Sequence, residues 1–377
     1  MSTERGSIAL STYASGIAPT DILDANDLRP VLLGLYGEVG GIMATAKKHK
    51  RDGDRFPGYE RAAREEFGDA LWYLAALCRR IAIDLDSLFA EASSGDGYRM
   101  IGIASDVAGG ACASVALPVS TADLDARLFK LGRSAAALLD DAPDRPRLLA
   151  FARDYLEALH GTGLIFAEVV RGNLNKVRGA FLEPDVSQLT DFDAKFSVEE
   201  QLPRRFAVRI NQRSSGKSYL QWNGVFIGDP LTDNIGDPDG YRFHDVFHLA
   251  NAAILHWSPV VRALIKHKRK SVANYDEAED GGRAIVVEEG VTAWIFTQAK
   301  EVAFFEDQNR VSLGLLKSIG EFVKGFEVEK CPLKLWERSI LQGFEVFRKV
   351  RDVKGGWIVG DRDARTVTYQ PPEWNPR

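Results

Sequence analysis

Four acidic residues in the first fifth of the chain have the types and spacing of a cation site. Glu65, Glu66 and Asp69 lie in the segment EEFGDALWYLAAL, and Glu38 lies in the earlier segment GLYGEVGGI. On helices, Glu66 and Asp69 share a face with apolar residues, and Glu38 lies beside an apolar stripe. Carboxylates in such positions repel one another and lose hydration. Mg²⁺ relieves both costs through oxygen ligands and leaves positions for phosphate and water. The alternative is a solvated acidic patch.

A second group of candidate ligands lies in the segment GYRFHDVFHLANAAILHW. His244 and His248 are four residues apart and share a helix face, and Asp245 is adjacent. Glu288 and Glu289 follow in the helical segment IVVEEGVTAW. Two histidines with carboxylates from another helix suit Zn²⁺ or a similar transition metal. The alternative is a buried histidine pair with satisfied hydrogen bonds. Because Asp245 stands where the HExxH motif has glutamate, the spacing does not imply protease chemistry.

Apolar periodicity predicts the helices that carry the acidic residues. Two one-sided stripes recur every three or four residues, namely Leu32, Leu35, Val39, Ile42 and Ala46, then Ala63, Phe67, Ala70, Leu74, Leu77 and Ile81. The charged segment KKHKRDGDRFPG between them predicts a loop. Further helical patterns lie near residues 122–142, 145–160 and 164–180. These patterns predict an all-α bundle over residues 1–187.

The pattern changes after Phe181 and predicts a second domain over residues 188–377. The segment FAVRINQRSSGKSYLQWNGVFIGD alternates as strands do around two tight turns, and residues 241–352 are again helical in pattern. The tail GGWIVGDRDARTVTYQP predicts short strands. The basic run at residues 266–270, followed by DEAED, predicts a solvated helix end, and the alternative is a phosphate-facing patch beside the histidines. We therefore expect a mostly helical α+β domain.

Composition excludes several classes of protein. The chain has 377 residues, 45% hydrophobic and 27% charged, which excludes a disordered or collagen-like chain. Its 48 basic and 53 acidic residues give a net charge of −5, unlike a general nucleic-acid binder. Three cysteines without a CxxC pair and the lack of a signal peptide favour the cytoplasm. The segment Val107–Ala122 is too short and too rich in glycine and alanine to span a membrane.

The two acidic segments together resemble the MazG-like nucleotide pyrophosphohydrolases. The resemblance covers residues 34–48 and 61–89, through GLYGEVGGI, the lysine-rich stretch and EEFGDALWYLAAL. It implies an all-α bundle in which an ExxE pair and an ExxD pair hold Mg²⁺ or Mn²⁺. Such a bundle hydrolyses a nucleoside or deoxynucleoside triphosphate to the monophosphate and pyrophosphate. The resemblance also implies homo-oligomers in which bundles pair.

The resemblance assigns roles to the acidic residues. Glu38, Glu66 and Asp69 are the expected metal ligands, and Glu65 is a ligand or a general base. The ExxE pair is incomplete, because Gly41 stands where the family has glutamate. Three explanations remain open for this departure. Glu65 fills the missing position, the site binds fewer ions, or the domain binds nucleotide without cleaving it.

Four other residues are expected to contact the substrate: Lys47, Lys48, Asn173 and Lys176. The two lysines near position 47 suit phosphate as point charges, although a solvated loop explains them equally well. The other two residues match the NxxK element of the family, which follows the ExxD helix closely in simple members. Here a long segment intervenes. A degenerate second copy explains it, with Leu148 and Phe151 at the positions of Glu66 and Asp69, but two amphipathic helices align this well without common origin.

Residues 190–377 resemble the C-terminal domain found fused to some MazG-like proteins, and this resemblance implies no specific activity. Three hypotheses follow for the whole chain. The first is a Mg²⁺-dependent pyrophosphohydrolase in the N-terminal half. The second is a nucleotide-binding or sensing module with little or no hydrolysis. The third is a separate metal-dependent hydrolase centred on His244 and His248.

Overall fold

The computed structural model describes residues 9–93, 123–140 and 143–376. The chain divides into two compact units, Met1–Leu182 and Glu183–Arg377, beside the predicted division between residues 187 and 188. Mainly helical structure and a small sheet in the second unit confirm the predicted fold class. Val107–Ala122 and Cys112 lie outside the described residues. Within the described ranges, no helix has the length and apolarity needed to cross a membrane.

The first unit is a helical bundle. Its described helices are α1 (Leu10–Ile17), α2 (Arg29–Asp52), α3 (Tyr59–Arg80), α4 (Leu85–Ala92), α5 (Leu124–Ala137), α6 (Arg145–Gly161) and α7 (Phe166–Phe181). The predicted stripes lie at the core, where Leu35, Val39, Phe67 and Leu74 are buried. Their helical spacing therefore gives each helix one face that packs against the others.

The predicted loop between the first two stripes is wrong over its first half. Helix α2 continues through KKHKRD to Asp52, so Lys47 and Lys48 lie on a helix. Lysine and arginine are good helix formers, and positive charge in the last turn interacts favourably with the helix dipole. The helix ends at Gly53, whose φ of +54° suits a residue without a side chain.

Helix α3 packs against α2 on one side and against α7 on another. Its contact with α7 is close at Gly68, where a Cβ atom would lie 2.9 Å from Cβ of Asn173. Only glycine allows this approach without movement of α7. The approach places Asn173 next to Asp69, which follows Gly68 in the chain.

The second unit combines a sheet with helices. Its strands are β1 (Arg205–Gln212), β2 (Ser218–Trp222), β3 (Val225–Leu231), β4 (Gly355–Asp361) and β5 (Thr366–Gln370). Its helices are α8 (Asp245–Ile254), α9 (Pro259–Ile265), α10 (Ala273–Ala278), α11 (Gly282–Lys300), α12 (Leu313–Phe322) and α13 (Leu333–Val353). The antiparallel order is β3-β2-β1-β4-β5, so the predicted tail strands complete the sheet beside β1.

Helix α8 forms the centre of the second unit. It packs against α13 and against strands β4 and β5, and every residue from Val246 to Ile254 is buried. A helix that is apolar on nearly all sides is typical of a protein interior. Burial of this helix takes His248 out of solvent.

Buried ion pairs hold the loops between α9 and α11. Nη2 of Arg269 lies 2.7 Å from Oδ1 of Asp280 and 2.6 Å from Oε1 of Glu327. The side chains of Arg269 and Asp280 have no exposed surface. The prediction that the basic run at residues 266–270 is solvated is therefore wrong for Arg269. Carboxylates from distant segments supply the charge that makes its burial tolerable.

Candidate functional sites

Helix α7 brings both residues of the NxxK element to the acidic residues of α3. Nδ2 of Asn173 donates a hydrogen bond to Oδ1 of Asp69 at 3.0 Å. Nζ of Lys176 lies 2.6 Å from each carboxylate oxygen of Asp69 and 2.9 Å from Oε1 of Glu65. The four residues therefore form one polar cluster at the α3–α7 contact.

Tyr13 supports this cluster, and the sequence analysis missed it. Its phenol donates a hydrogen bond to Oδ1 of Asn173 at 2.7 Å, which directs the amide NH₂ of Asn173 toward Asp69. Burial, reinforced by Tyr155 and the charge of Asp69, raises the pKa of Tyr13 well above its ordinary value. The phenol therefore stays a donor. No local sequence signal points to a partner 160 residues away.

The carboxylate of Glu66 reaches toward Gly41 on α2. A Cβ atom at position 41 would lie 2.1 Å from Oε2 of Glu66 and 2.8 Å from its carboxyl carbon. Glu66 thus occupies the space in which the side chain of a glutamate at position 41 would begin. Glu65, one of the residues considered for that position, contacts Lys176.

The remaining predicted residues of the first unit lie on α2. Glu38 is partly buried, whereas Lys47 and Lys48 are exposed. Lys47 follows Glu38 by nine positions, which corresponds to about 13 Å along the helix axis. The structure thus places the two lysines on an exposed surface of α2.

In the second unit, α8 and α11 bring three predicted ligands together. Nε2 of His248 lies 3.4 Å from Oε2 of Glu289, and Nε2 of His244 lies 3.6 Å from the same oxygen. Among the residues that the structure describes, these three form the group whose metal-binding atoms all lie within 4.8 Å of one another.

The other two predicted ligands lie beside this group. Oε1 of Glu288 is 3.1 Å from Nδ1 of His248, on the side of the ring away from Nε2. Oε2 of Glu288 accepts hydrogen bonds at 3.0 Å from Oγ of Ser258 and from the amide of Val260. These hydrogen bonds anchor Glu288 behind His248. Burial raises the pKa of Asp245, and the nearby histidines partly offset this effect.

The histidines and glutamates of this group shift the pKa values of one another. Burial lowers the pKa of His248, but Glu288 and Glu289 outweigh this effect and raise the pKa to about 10. Burial opposes ionisation of Glu289, yet His244 and His248 hold its pKa well below the ordinary range. The group therefore favours a cation next to the carboxylate of Glu289, either a proton on a ring or a metal ion.

Comparison with known proteins gives one result, and it concerns the second unit. No curated protein matches the chain, and no solved structure matches it. Residues 187–373 match the family model described as the MazG C-terminal domain. This match covers nearly all of the second unit, which is therefore similar to that domain.

Proposed function

We propose that the protein is a Mg²⁺-dependent nucleoside triphosphate pyrophosphohydrolase that acts at the acidic residues of α2 and α3 in its first unit. The observation that carries this proposal is the contact of Asn173 and Lys176 with Asp69. Asn173 and Lys176 follow Asp69 by 104 and 107 positions in the chain, and Asp69 is the residue of the ExxD pair that is expected to bind the metal. The MazG C-terminal match supports a nucleotide-related function.

The carboxylates of the predicted metal ligands suit a hard cation. Glu38, Glu66 and Asp69 supply carboxylate oxygens, which are the ligands that Mg²⁺ prefers. Glu66 brings its carboxylate from α3 to the position beside Gly41. Positions 41 and 66 together therefore offer one carboxylate, whereas the family pattern has a glutamate at both. When bound, Mg²⁺ offsets the charge of the phosphates and activates water.

The other polar residues have roles that follow from their contacts. Asn173, oriented by Tyr13, fixes the rotamer of Asp69. The ammonium of Lys176 contacts both Asp69 and Glu65, and a flexible lysine can exchange a carboxylate for a phosphate oxygen. Glu65 is only partly buried and pairs with Lys176, and we assign its carboxylate the role of accepting the proton of the attacking water.

Product analysis tests this proposal. The full-length chain is incubated with the eight common ribonucleoside and deoxyribonucleoside triphosphates and Mg²⁺, and products are separated by chromatography. We expect monophosphate and pyrophosphate from at least one nucleotide, with turnover stopped by EDTA and restored by Mg²⁺. Diphosphate and phosphate as products would contradict the proposed bond cleavage. Nucleotide binding in calorimetry without turnover would favour the sensing module instead.

The matched pair Gly41→Ala and Gly37→Ala tests the position of Glu66. Both changes put the better helix former alanine on α2, a gain of up to about 1 kcal/mol in helix propensity. The Cβ at position 41 displaces the carboxylate of Glu66, whereas a Cβ at position 37 meets nothing within 4 Å. We expect Gly41→Ala to lower kcat/KM about tenfold to a hundredfold, because a small displacement of a catalytic group has effects of this size.

Steady-state kinetics on the best nucleotide of the panel measures this effect, with circular dichroism as the check on folding. Gly37→Ala should keep the kcat/KM of the unmodified chain. Equal kinetics for the two variants would show that the position of Glu66 beside Gly41 does not matter for turnover.

A further inference from the structure

We infer that the second unit holds a divalent transition-metal ion of the Zn²⁺ class through Nε2 of His244, Nε2 of His248 and the carboxylate of Glu289. The proposed hydrolysis in the first unit needs no such ion. The inference rests on the distances between the three ligand atoms, the surroundings of each ring and the exposure of Glu289.

The two distances from the carboxylate of Glu289 to the histidine nitrogens match the geometry of a bound ion. Nitrogen and oxygen ligands about 2.1 Å from a tetrahedral Zn²⁺ lie about 3.4 Å from one another. The two distances from Oε2 of Glu289 are 3.4 Å to His248 and 3.6 Å to His244. These separations are longer than most hydrogen bonds and match two ligands that share an ion.

Each histidine has an oxygen acceptor behind it. Nδ1 of His244 lies 2.9 Å from the carbonyl oxygen of Tyr241, and the ring of Tyr241 stacks on that of His244 with 4.3 Å between centroids. Nδ1 of His248 lies 3.1 Å from Oε1 of Glu288. A proton on Nδ1 leaves the lone pair of Nε2 for a metal, and such acceptors are typical behind metal-bound histidines.

His248 is fully buried, and its Nε2 makes no hydrogen bond among the described residues. A buried polar atom without a partner is costly, so this ring requires another one. A protonated ring between Glu288 and Glu289 is the competing explanation. Both explanations use the contact of Nδ1 with Glu288 and differ at Nε2, where a proton would need an aligned hydrogen bond to Glu289 and a metal ion would not.

The site has three protein ligands and an open side. The side chain of Glu289 is 40% exposed, whereas that of Glu288 is 1% exposed and anchored by Ser258 and Val260. Zinc sites with three protein ligands keep a fourth position for water or a substrate. The geometry thus points to an ion that solvent and small ligands can reach past Glu289.

Metal analysis of the full-length chain tests the inference. The protein is purified without a metal-affinity step, stripped with chelator, and titrated with Zn²⁺ and with Co²⁺. We expect one Zn²⁺ per chain by mass spectrometry, a Co²⁺ absorption band of the kind given by four or five ligands, and a rise in Tm. His248→Ala and Glu289→Gln should each abolish the Co²⁺ band. Glu288→Gln should weaken Co²⁺ binding about tenfold to a hundredfold.

Two controls and a second test variant make the result decisive. His160→Ala, an exposed histidine of the first unit, should bind Co²⁺ as the unmodified chain does. Asp69→Asn should also keep the Co²⁺ band, which separates this site from the proposed Mg²⁺ site. Glu289→Gln serves if His248→Ala fails to fold, because residue 289 is partly exposed. No stoichiometric metal in the unmodified chain, or an unchanged Co²⁺ band in Glu289→Gln, would overturn the inference.

Discussion

Asp69→Asn is expected to lower kcat/KM for nucleoside triphosphate hydrolysis by about a hundredfold or more while the chain stays folded. Asp69 is a predicted metal ligand and also the residue that Asn173 and Lys176 both contact. Asparagine keeps the shape of the side chain but removes its charge. Charge stabilisation by a bound metal contributes several kcal/mol to the transition state, and about 3 kcal/mol corresponds to about a hundredfold in rate.

The matched control for this change lies on the same helix. Glu60→Gln also removes one negative charge from α3, but Glu60 is exposed and pairs with Arg64 in the first turn. Pyrophosphate release should therefore stay close to that of the unmodified chain in Glu60→Gln. Far-UV circular dichroism verifies that both variants fold. A kcat/KM for Asp69→Asn within tenfold of the control would place the chemistry elsewhere in the chain.

Arg269→Ala should lower the free energy of unfolding of the second unit by about 3–5 kcal/mol, the usual cost of removing one partner of a buried ion pair. Asp280 and Glu327 both contact the guanidinium of Arg269, and the side chain of Asp280 has no exposed surface. Burial raises the pKa of Glu327, and Arg269 opposes that rise. The variant leaves two acidic side chains in the interior without this cation.

Denaturant unfolding followed by tryptophan fluorescence measures the effect. Six of the seven tryptophans lie in the second unit, since only Trp72 precedes residue 183, so the signal reports mainly that unit. Arg204→Ala is the control, because Arg204 is 62% exposed where it pairs with Asp363, and exposed ion pairs contribute about 1 kcal/mol or less. Equal midpoints for the two variants would contradict the stabilising role of the buried pairs.

Local periodicity was enough to predict the elements that carry the candidate sites. Apolar spacing of three and four residues predicted α2 and α3, and burial of Leu35 and Phe67 confirms which faces pack. The same rule placed His244 and His248 within one turn of each other. Strand alternation predicted β1 and the tail strands. These features follow from neighbours in the chain, because backbone geometry alone fixes which nearby side chains share a face.

Only the tertiary structure decided how distant segments meet. The sequence left open whether Glu65 fills the position of the missing ligand, and only the fold shows that Glu65 pairs with Lys176 and that Glu66 reaches Gly41. The sequence indicated neither the hydrogen bond from Tyr13 nor the burial of Arg269. The physical reason is the same in each case. The partners of a side chain depend on how helices pack, and contacting residues here lie more than ten, and often more than a hundred, positions apart in the sequence. Hydrophobic patterning determines which face of a helix is buried but not which residues that face contacts.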